Sequence, residues 1–149
     1  MSAAVTTPDP YSRDVIALAA AIPHLKRLDA PHVTVRKVSR LCGSQVTLDM
    51  NLADGRVSEI GWDVSACALG QSSASILGSV IIGADRHLLA EGLDTLNALL
   101  KGTPVPDNSP FRALRVLEPA AQYPARHGSI RLAFEAALEA FDRAAARER

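Results

Sequence analysis

The sequence has few cysteines, few aromatic residues and no excess of charge of either sign. Its 149 residues include two cysteines, one tryptophan, two tyrosines and three phenylalanines. Two cysteines cannot form the multi-bridge framework of a small secreted protein, which favours a reducing compartment and a cytoplasmic location. Sixteen basic residues balance sixteen acidic ones, so the chain has no positive field that would attract nucleic acid. We therefore expect no nucleic-acid partner.

Long apolar runs are also lacking. The longest one near the N-terminus, residues 15–22, is too short to cross a bilayer and is followed by Pro23. We expect neither a membrane partner nor a signal peptide. The content of 48% hydrophobic and 21% charged residues is ordinary for a globular domain. Residues 11–149 are expected to form a single domain, preceded by a flexible arm over residues 1–10, which show no periodicity.

The middle of the chain predicts an antiparallel sheet. Apolar residues alternate with polar ones over residues 46–52, an Ala-Asp-Gly turn follows, and the alternation resumes over residues 57–64. An earlier run at residues 33–38 supplies a third strand. Polar residues such as Asp49 would point away from the core, and Trp62 is expected inside it. A sheet with one apolar face needs a cover from other elements.

Helices are predicted before and after this sheet. A first helix is expected over residues 11–21, and a second in the segment rich in small residues that follows Cys67. Leucines at three- and four-residue spacing predict a helix over residues 89–100, and an apolar stripe predicts another over residues 130–146. A short helix should begin near Phe111. The predicted fold class is α+β, a small three-stranded antiparallel sheet with helices packed on one face.

Cys42 lies just before the first strand of this hairpin, and Cys67 lies just after the second. Cys67 ends a strand and starts a helix, where unpaired N–H groups favour a thiolate. Cys42 precedes Gly43 on a turn before the partner strand. Antiparallel pairing could bring both thiols to one end of the sheet. They could then hold a soft metal, accept sulfur or form a reversible disulfide, or they could be small packing residues.

Two segments resemble a known family. The sequences "LCGSQVTLDM" and "ACALGQSSASIL" resemble the IscU/NifU-N iron–sulfur cluster assembly scaffolds, whose members carry a Cys-Gly-Asp turn and a Cys-(Ala/Gly)-x-(Ser/Gly)-x-Ala-Ser segment there. The ending "YPARHGSIRLAFEAAL" is similar to the SufU-type branch, which is also long over residues 85–118. The resemblance covers residues 11–141. It implies a SufE/NifU-like fold and a metal site of three cysteines and one aspartate.

Only half of that ligand set is present. Carried over position by position, Cys42 and Cys67 match two of the cysteines, whereas Ser44 stands at the aspartate and Ser129 at the third cysteine. A serine hydroxyl stays protonated near neutral pH and is a poor ligand for zinc or iron. Ser44 and Ser129 are therefore weak metal candidates, and Ser129 could instead cap the last helix.

Two residues near Ser129 could compensate for the missing ligands. The imidazole of His127 could replace the third thiolate and give a Cys–Cys–His metal site, although His127 could also be a surface residue. Arg126 matches the family's basic position, where it would steady a bound persulfide or cluster, although a salt bridge at the helix start would also explain it.

The resemblance implies a scaffold or sulfur-transfer protein rather than a free-standing enzyme. It would accept sulfur from a SufS-like cysteine desulfurase, work with other cluster assembly proteins, and hold zinc or an iron–sulfur cluster. Cys42 and Cys67 would be its catalytic thiols, with metal held by these two and by His127. The altered ligand set supports a second hypothesis, a metal-free NifU-like binding or regulatory module of the assembly machinery. The reversible disulfide is a third.

Overall fold

The computed structural model of this protein describes residues 9–147 and has the predicted α+β architecture. Its sheet contains three antiparallel strands in the order β1-β2-β3, with bounds β1 Val33–Ser39, β2 Ser44–Ala53 and β3 Arg56–Ser65. Asp54 and Gly55 connect β2 to β3, and both have positive φ, as a two-residue hairpin turn requires. The predicted hairpin and its turn are therefore confirmed.

Four α-helices accompany the sheet in the part of the chain that the structure describes. Their bounds are α1 Arg13–Ala19, α2 Ala68–Gly78, α3 Arg86–Leu100 and α4 His127–Arg147. Two 3₁₀ segments, Arg112–Gln122 and Pro124–Arg126, join α3 to α4. The first 3₁₀ segment is the element predicted near Phe111. Helix α4 begins at His127 rather than at residue 130, so one more turn of helix packs near the end of the sheet.

The helices bury one face of the sheet, as predicted. Helix α4 lies across β1 and β2, and α2 and α3 pack against α4. The inward side chains of β2 are fully or almost fully buried, as is Trp62 on β3, so the predicted core position of Trp62 is confirmed. Phe111 and Phe134 meet edge to face beyond the sheet, with ring centroids 5.8 Å apart. This core holds the ends of β2, α2 and α4 in fixed relative positions.

Asp49 points away from the apolar face of the sheet, as predicted, but it is not exposed to solvent there. Its carboxylate is fully buried on the face of the sheet opposite α4. It accepts hydrogen bonds from Arg27 at 2.7 and 3.0 Å, from the Thr34 hydroxyl at 2.6 Å and from the Leu28 amide at 2.9 Å. Burial favours the neutral acid, but these bonds outweigh it and hold the pKa of Asp49 below its usual range.

The segment before β1 also runs against strand β3. The Trp62 amide donates to the His24 carbonyl at 3.1 Å, and the indole N–H donates to the Pro23 carbonyl at 2.8 Å. Gly61 is required here because a Cβ at this position would lie 2.3 Å from the Lys26 carbonyl oxygen. Residues 23–28 therefore protect an edge of the sheet that would otherwise expose unpaired backbone groups.

Two further predictions concern the ends and the environment of the chain. Of the arm predicted over residues 1–10, residues 1–8 lie outside the described residues, and Pro10 is buried. None of the helices within residues 9–147 is both long enough and apolar enough to span a membrane.

Candidate functional site

Cys42 lies on the turn between β1 and β2. Gly43 allows this turn because its φ is +69°, and its amide donates to the Ser39 carbonyl at 2.8 Å. The half-buried thiol of Cys42 donates to the Ala125 carbonyl at 3.0 Å. Its neighbour Leu41 is 77% exposed. The turn therefore presents a thiol beside an apolar side chain that is open to solvent.

Cys67 is the N-cap residue of α2. Its backbone is extended, with φ −67° and ψ 167°, and its side chain makes no capping hydrogen bond. The half-buried sulfur instead lies 3.5 Å from the Ser129 hydroxyl oxygen. Because Ala125 and Ser129 belong to the same short segment, both thiols contact residues 125–129. The predicted convergence of the two thiols at one end of the sheet agrees with these contacts.

Ser44 and Ser129 meet at the same place. Ser44 is the first residue of β2 and Ser129 the third residue of α4, and both are almost fully buried. Their hydroxyl oxygens are 2.8 Å apart, so one hydroxyl donates to the other. The alternative that Ser129 caps the last helix was wrong, because α4 begins two residues earlier and directs this side chain inward.

The small residues of α2 allow this contact. A Cβ on Gly70 would lie 2.5 Å from the Ser129 hydroxyl, 2.9 Å from the Ala66 Cβ and 3.0 Å from the Ser129 carbonyl oxygen. Any side chain at this position would push α2 away from α4. The run of glycine and serine after Cys67 was the sequence signal for this close approach, although it did not identify Gly70.

Replacing Gly70 by alanine should therefore lower the free energy of unfolding by about 1–3 kcal/mol, because the added methyl overpacks the contact with Ser129. Urea unfolding followed by circular dichroism measures the change. The neighbouring Gln71→Ala variant, altered at a half-buried position on α2, serves as the control and should change stability by less than about 0.5 kcal/mol. A Gly70→Ala protein as stable as the wild type would contradict the close packing.

His127 and Arg126 are placed differently from the thiols. The His127 Nε2 atom lies 2.9 Å from the Ala120 carbonyl oxygen, to which it donates when it carries the ring proton. Arg126 is exposed, and its backbone amide donates to the Tyr123 carbonyl. Within residues 9–147, no three His, Cys, Asp or Glu side chains are grouped so that they could hold a metal ion. The predicted Cys–Cys–His set is therefore not assembled in this structure.

The donor set does not fit a resident zinc ion. Structural zinc sites use four thiolate, imidazole or carboxylate ligands, and catalytic sites use three. Here two thiols converge with two neutral hydroxyls, and the hydroxyls are hydrogen-bonded to each other. The site is chemically a pair of thiols beside a short segment of α4 and the loop before it. Such thiols can act as nucleophiles toward sulfur.

Comparisons with known proteins identify similar solved structures. A nitrogen-fixing NifU-like protein (N-terminal) from Brucella abortus is 31% identical, with a TM-score of 0.86 over 91% of this chain and 94% of that one. A putative iron–sulfur cluster assembly scaffold protein for the SUF system from Fervidobacterium islandicum is 17% identical, with a TM-score of 0.80 over 89% and 96%. A hypothetical protein is 22% identical, with a TM-score of 0.78 over 87% and 94%. No protein-family model and no curated protein matches the chain.

Proposed function

The chain belongs to the NifU-like N-terminal family, and from this membership we propose that it works in iron–sulfur cluster assembly as a SufU-like protein. Its role there is to accept sulfur from a cysteine desulfurase. The observation that carries this proposal is that both thiols contact the same short segment, Cys42 at Ala125 and Cys67 at Ser129. A site with two convergent thiols and no complete metal-ligand set suits sulfur transfer better than metal storage.

The transfer needs no oxidant or reductant. A thiolate of this protein attacks the outer sulfur of the desulfurase persulfide, and a new S–S bond forms while the old one breaks. The electron pair of the broken bond leaves with the desulfurase cysteine as a thiolate. The persulfide is then attached to this chain. The exposed guanidinium of Arg126, next to Ala125 in the sequence, contributes positive charge for an anionic persulfide.

Cys42 is the proposed first acceptor. It lies on a turn whose neighbouring residue, Leu41, is 77% exposed, so a partner can approach it directly. Cys67 instead contacts the buried hydroxyl of Ser129, which places it further inside the site. The second thiol would then take the sulfur from Cys42 by the same exchange reaction.

A sulfur-loading experiment tests this function. The purified full chain is incubated with a SufS-type desulfurase and cysteine, and the intact mass is measured before and after reduction. Because the chain has two cysteines, the variants Cys42→Ala, Cys67→Ala and the double variant assign every bound sulfur. We expect the wild type to gain sulfur, Cys42→Ala to lose most of it, and the double variant to gain none.

The controls separate chemistry from folding. Each variant should retain the circular dichroism spectrum and thermal unfolding transition of the wild type, and loading should disappear when cysteine is left out. A wild-type chain that takes no sulfur from the desulfurase would contradict the proposal. Equal loading of the wild type and the double variant would show that the added mass is not a persulfide on these thiols.

The buried hydroxyl pair favours a second candidate function, a metal-free binding or regulatory module of the assembly machinery. Ser44 and Ser129 replace ligands of the family by groups that satisfy each other, which leaves the fold intact without a metal. In that case the chain would form a complex with the desulfurase, measurable by gel filtration or calorimetry, and neither thiol would carry sulfur afterwards.

A further inference from the structure

The site contains a direct link between the sheet and the last helix. Ser44 at the start of β2 and Ser129 in the first turn of α4 are hydrogen-bonded at 2.8 Å, and both side chains are buried. We infer that this hydroxyl pair closes the site against a resident metal ion and makes the connection between β2 and α4 that a shared ion would otherwise make. The two serines thereby determine which chemistry the thiols can perform.

The distance between the two hydroxyl oxygens is too short for two ligands of one zinc ion. Two atoms bound to one tetrahedral zinc ion, each about 2.0–2.3 Å from the metal, are about 3.3 Å or more apart. The oxygens of Ser44 and Ser129 are closer than this, and one hydroxyl donates a hydrogen bond to the other. A metal ion could enter between them only after their hydrogen bond breaks, and this would leave buried hydroxyls without their partner.

The other candidate metal ligands also contact groups within the chain. The Cys42 thiol donates to the Ala125 carbonyl, and the His127 ring lies at the Ala120 carbonyl. The Cys67 sulfur contacts Ser129 itself. A cation at this position would therefore have to displace several protein contacts, and two thiolates would be the only charged ligands that these residues offer it.

The packing around Ser129 prevents an easy adjustment. The hydroxyl is enclosed by Ser44 and Cys67, and the Gly70 backbone is so close that an added Cβ would lie 2.5 Å from it. Strand β2 and helix α2 therefore contact this side chain from two directions. The hydroxyl pair is therefore a packed contact within the core and leaves no open space for an ion.

This inference rests on the proposed function in locating the sulfur-transfer site at Cys42 and Cys67, but its test uses no desulfurase. Zinc binding is measured with zinc ions and the full chain, by competition with a colorimetric chelator and by metal analysis after desalting. A failure of sulfur loading therefore leaves the zinc result unchanged. Likewise, a zinc result that contradicts the inference leaves the result of the sulfur-loading experiment unchanged.

The decisive comparison is between the wild type and the variant Ser44→Asp/Ser129→Cys, which restores a carboxylate and a thiolate. We expect the wild type to retain no zinc after desalting. The double variant should retain one zinc ion per chain and bind it at least about 100-fold more tightly, because it has four charged ligands. The control Ser58→Asp/Thr103→Cys adds the same side chains at exposed positions on β3 and after α3, and should behave as the wild type does.

A wild-type chain that retains one zinc ion would overturn the inference, and so would a folded double variant that binds zinc no better than the wild type. If the double variant does not fold, the alanine variants decide. Ser44→Ala and Ser129→Ala should each lower the midpoint of thermal unfolding, and the double alanine variant should lower it by less than the sum of the two. Strictly additive effects would show that the hydroxyl pair is not a link.

Discussion

Replacement of Asp49 by alanine should lower the free energy of unfolding by about 3 kcal/mol, because buried donors lose a charged acceptor. The reason is the number of groups that this carboxylate satisfies. It accepts hydrogen bonds from Arg27, from the Thr34 hydroxyl and from the Leu28 amide, and its side chain is fully buried. Alanine would leave the Thr34 hydroxyl and the Leu28 amide without their acceptor, whereas the half-exposed Arg27 side chain could turn to water. The segment before β1 would then be held less firmly against the sheet.

Urea unfolding at neutral pH measures this loss. The control is Asp63→Ala, which removes an exposed carboxylate from β3 on the same face of the sheet and should change stability by less than about 0.5 kcal/mol. If Asp49→Ala and Asp63→Ala have the same midpoint of urea unfolding, then the buried network does not stabilise the fold.

The same residue predicts an acid dependence. Since the folded state holds the pKa of Asp49 below its usual range, the stabilisation is complete above the unfolded-state pKa of about 3.9. It is lost as the pH falls from there through the lower folded value. Stability measured between neutral and strongly acidic pH should therefore fall less steeply in Asp49→Ala than in the wild type. Parallel pH curves for the two proteins would contradict this.

Replacement of Trp62 by alanine should have a comparable effect, a loss of about 3–5 kcal/mol, because it leaves a large cavity in the core. The side chain is fully buried, and its indole N–H donates to the Pro23 carbonyl. An added Cβ at Gly78 would lie 3.2 Å from the indole ring, which shows how closely α2 packs on it. The change should therefore loosen both α2 and the segment that follows α1.

The variant Trp62→Phe separates the two contributions. It keeps most of the apolar volume and removes the hydrogen bond, so it should cost less than the alanine variant. Unfolding is followed by circular dichroism, because Trp62 is the sole tryptophan and the variants lack its fluorescence. Equal stability of Trp62→Ala and Trp62→Phe would contradict a cavity as the main cause.

The positions that were predicted correctly from the sequence are those set by neighbouring residues. Alternating apolar residues and an Asp-Gly turn define β2 and β3, and Gly43 with its positive φ marks the turn that carries Cys42. The face of Asp49 was predicted correctly but its burial was not, because alternation says which face a residue occupies and not whether another segment covers that face. The cover comes from Arg27 and Leu28, which are distant in sequence and show no apolar pattern.

The candidate site divides in the same way. The sequence by itself determined that two thiols, Cys42 and Cys67, lie at strand ends, because strand period and turn chemistry act over a few neighbouring residues. Only the tertiary structure decided that Ser44 and Ser129, 85 residues apart, share a hydrogen bond, and that His127 lies at a backbone carbonyl instead of joining the thiols. These contacts depend on how α2 and α4 pack against the sheet, and such packing is a property of the whole core that local sequence patterns do not encode.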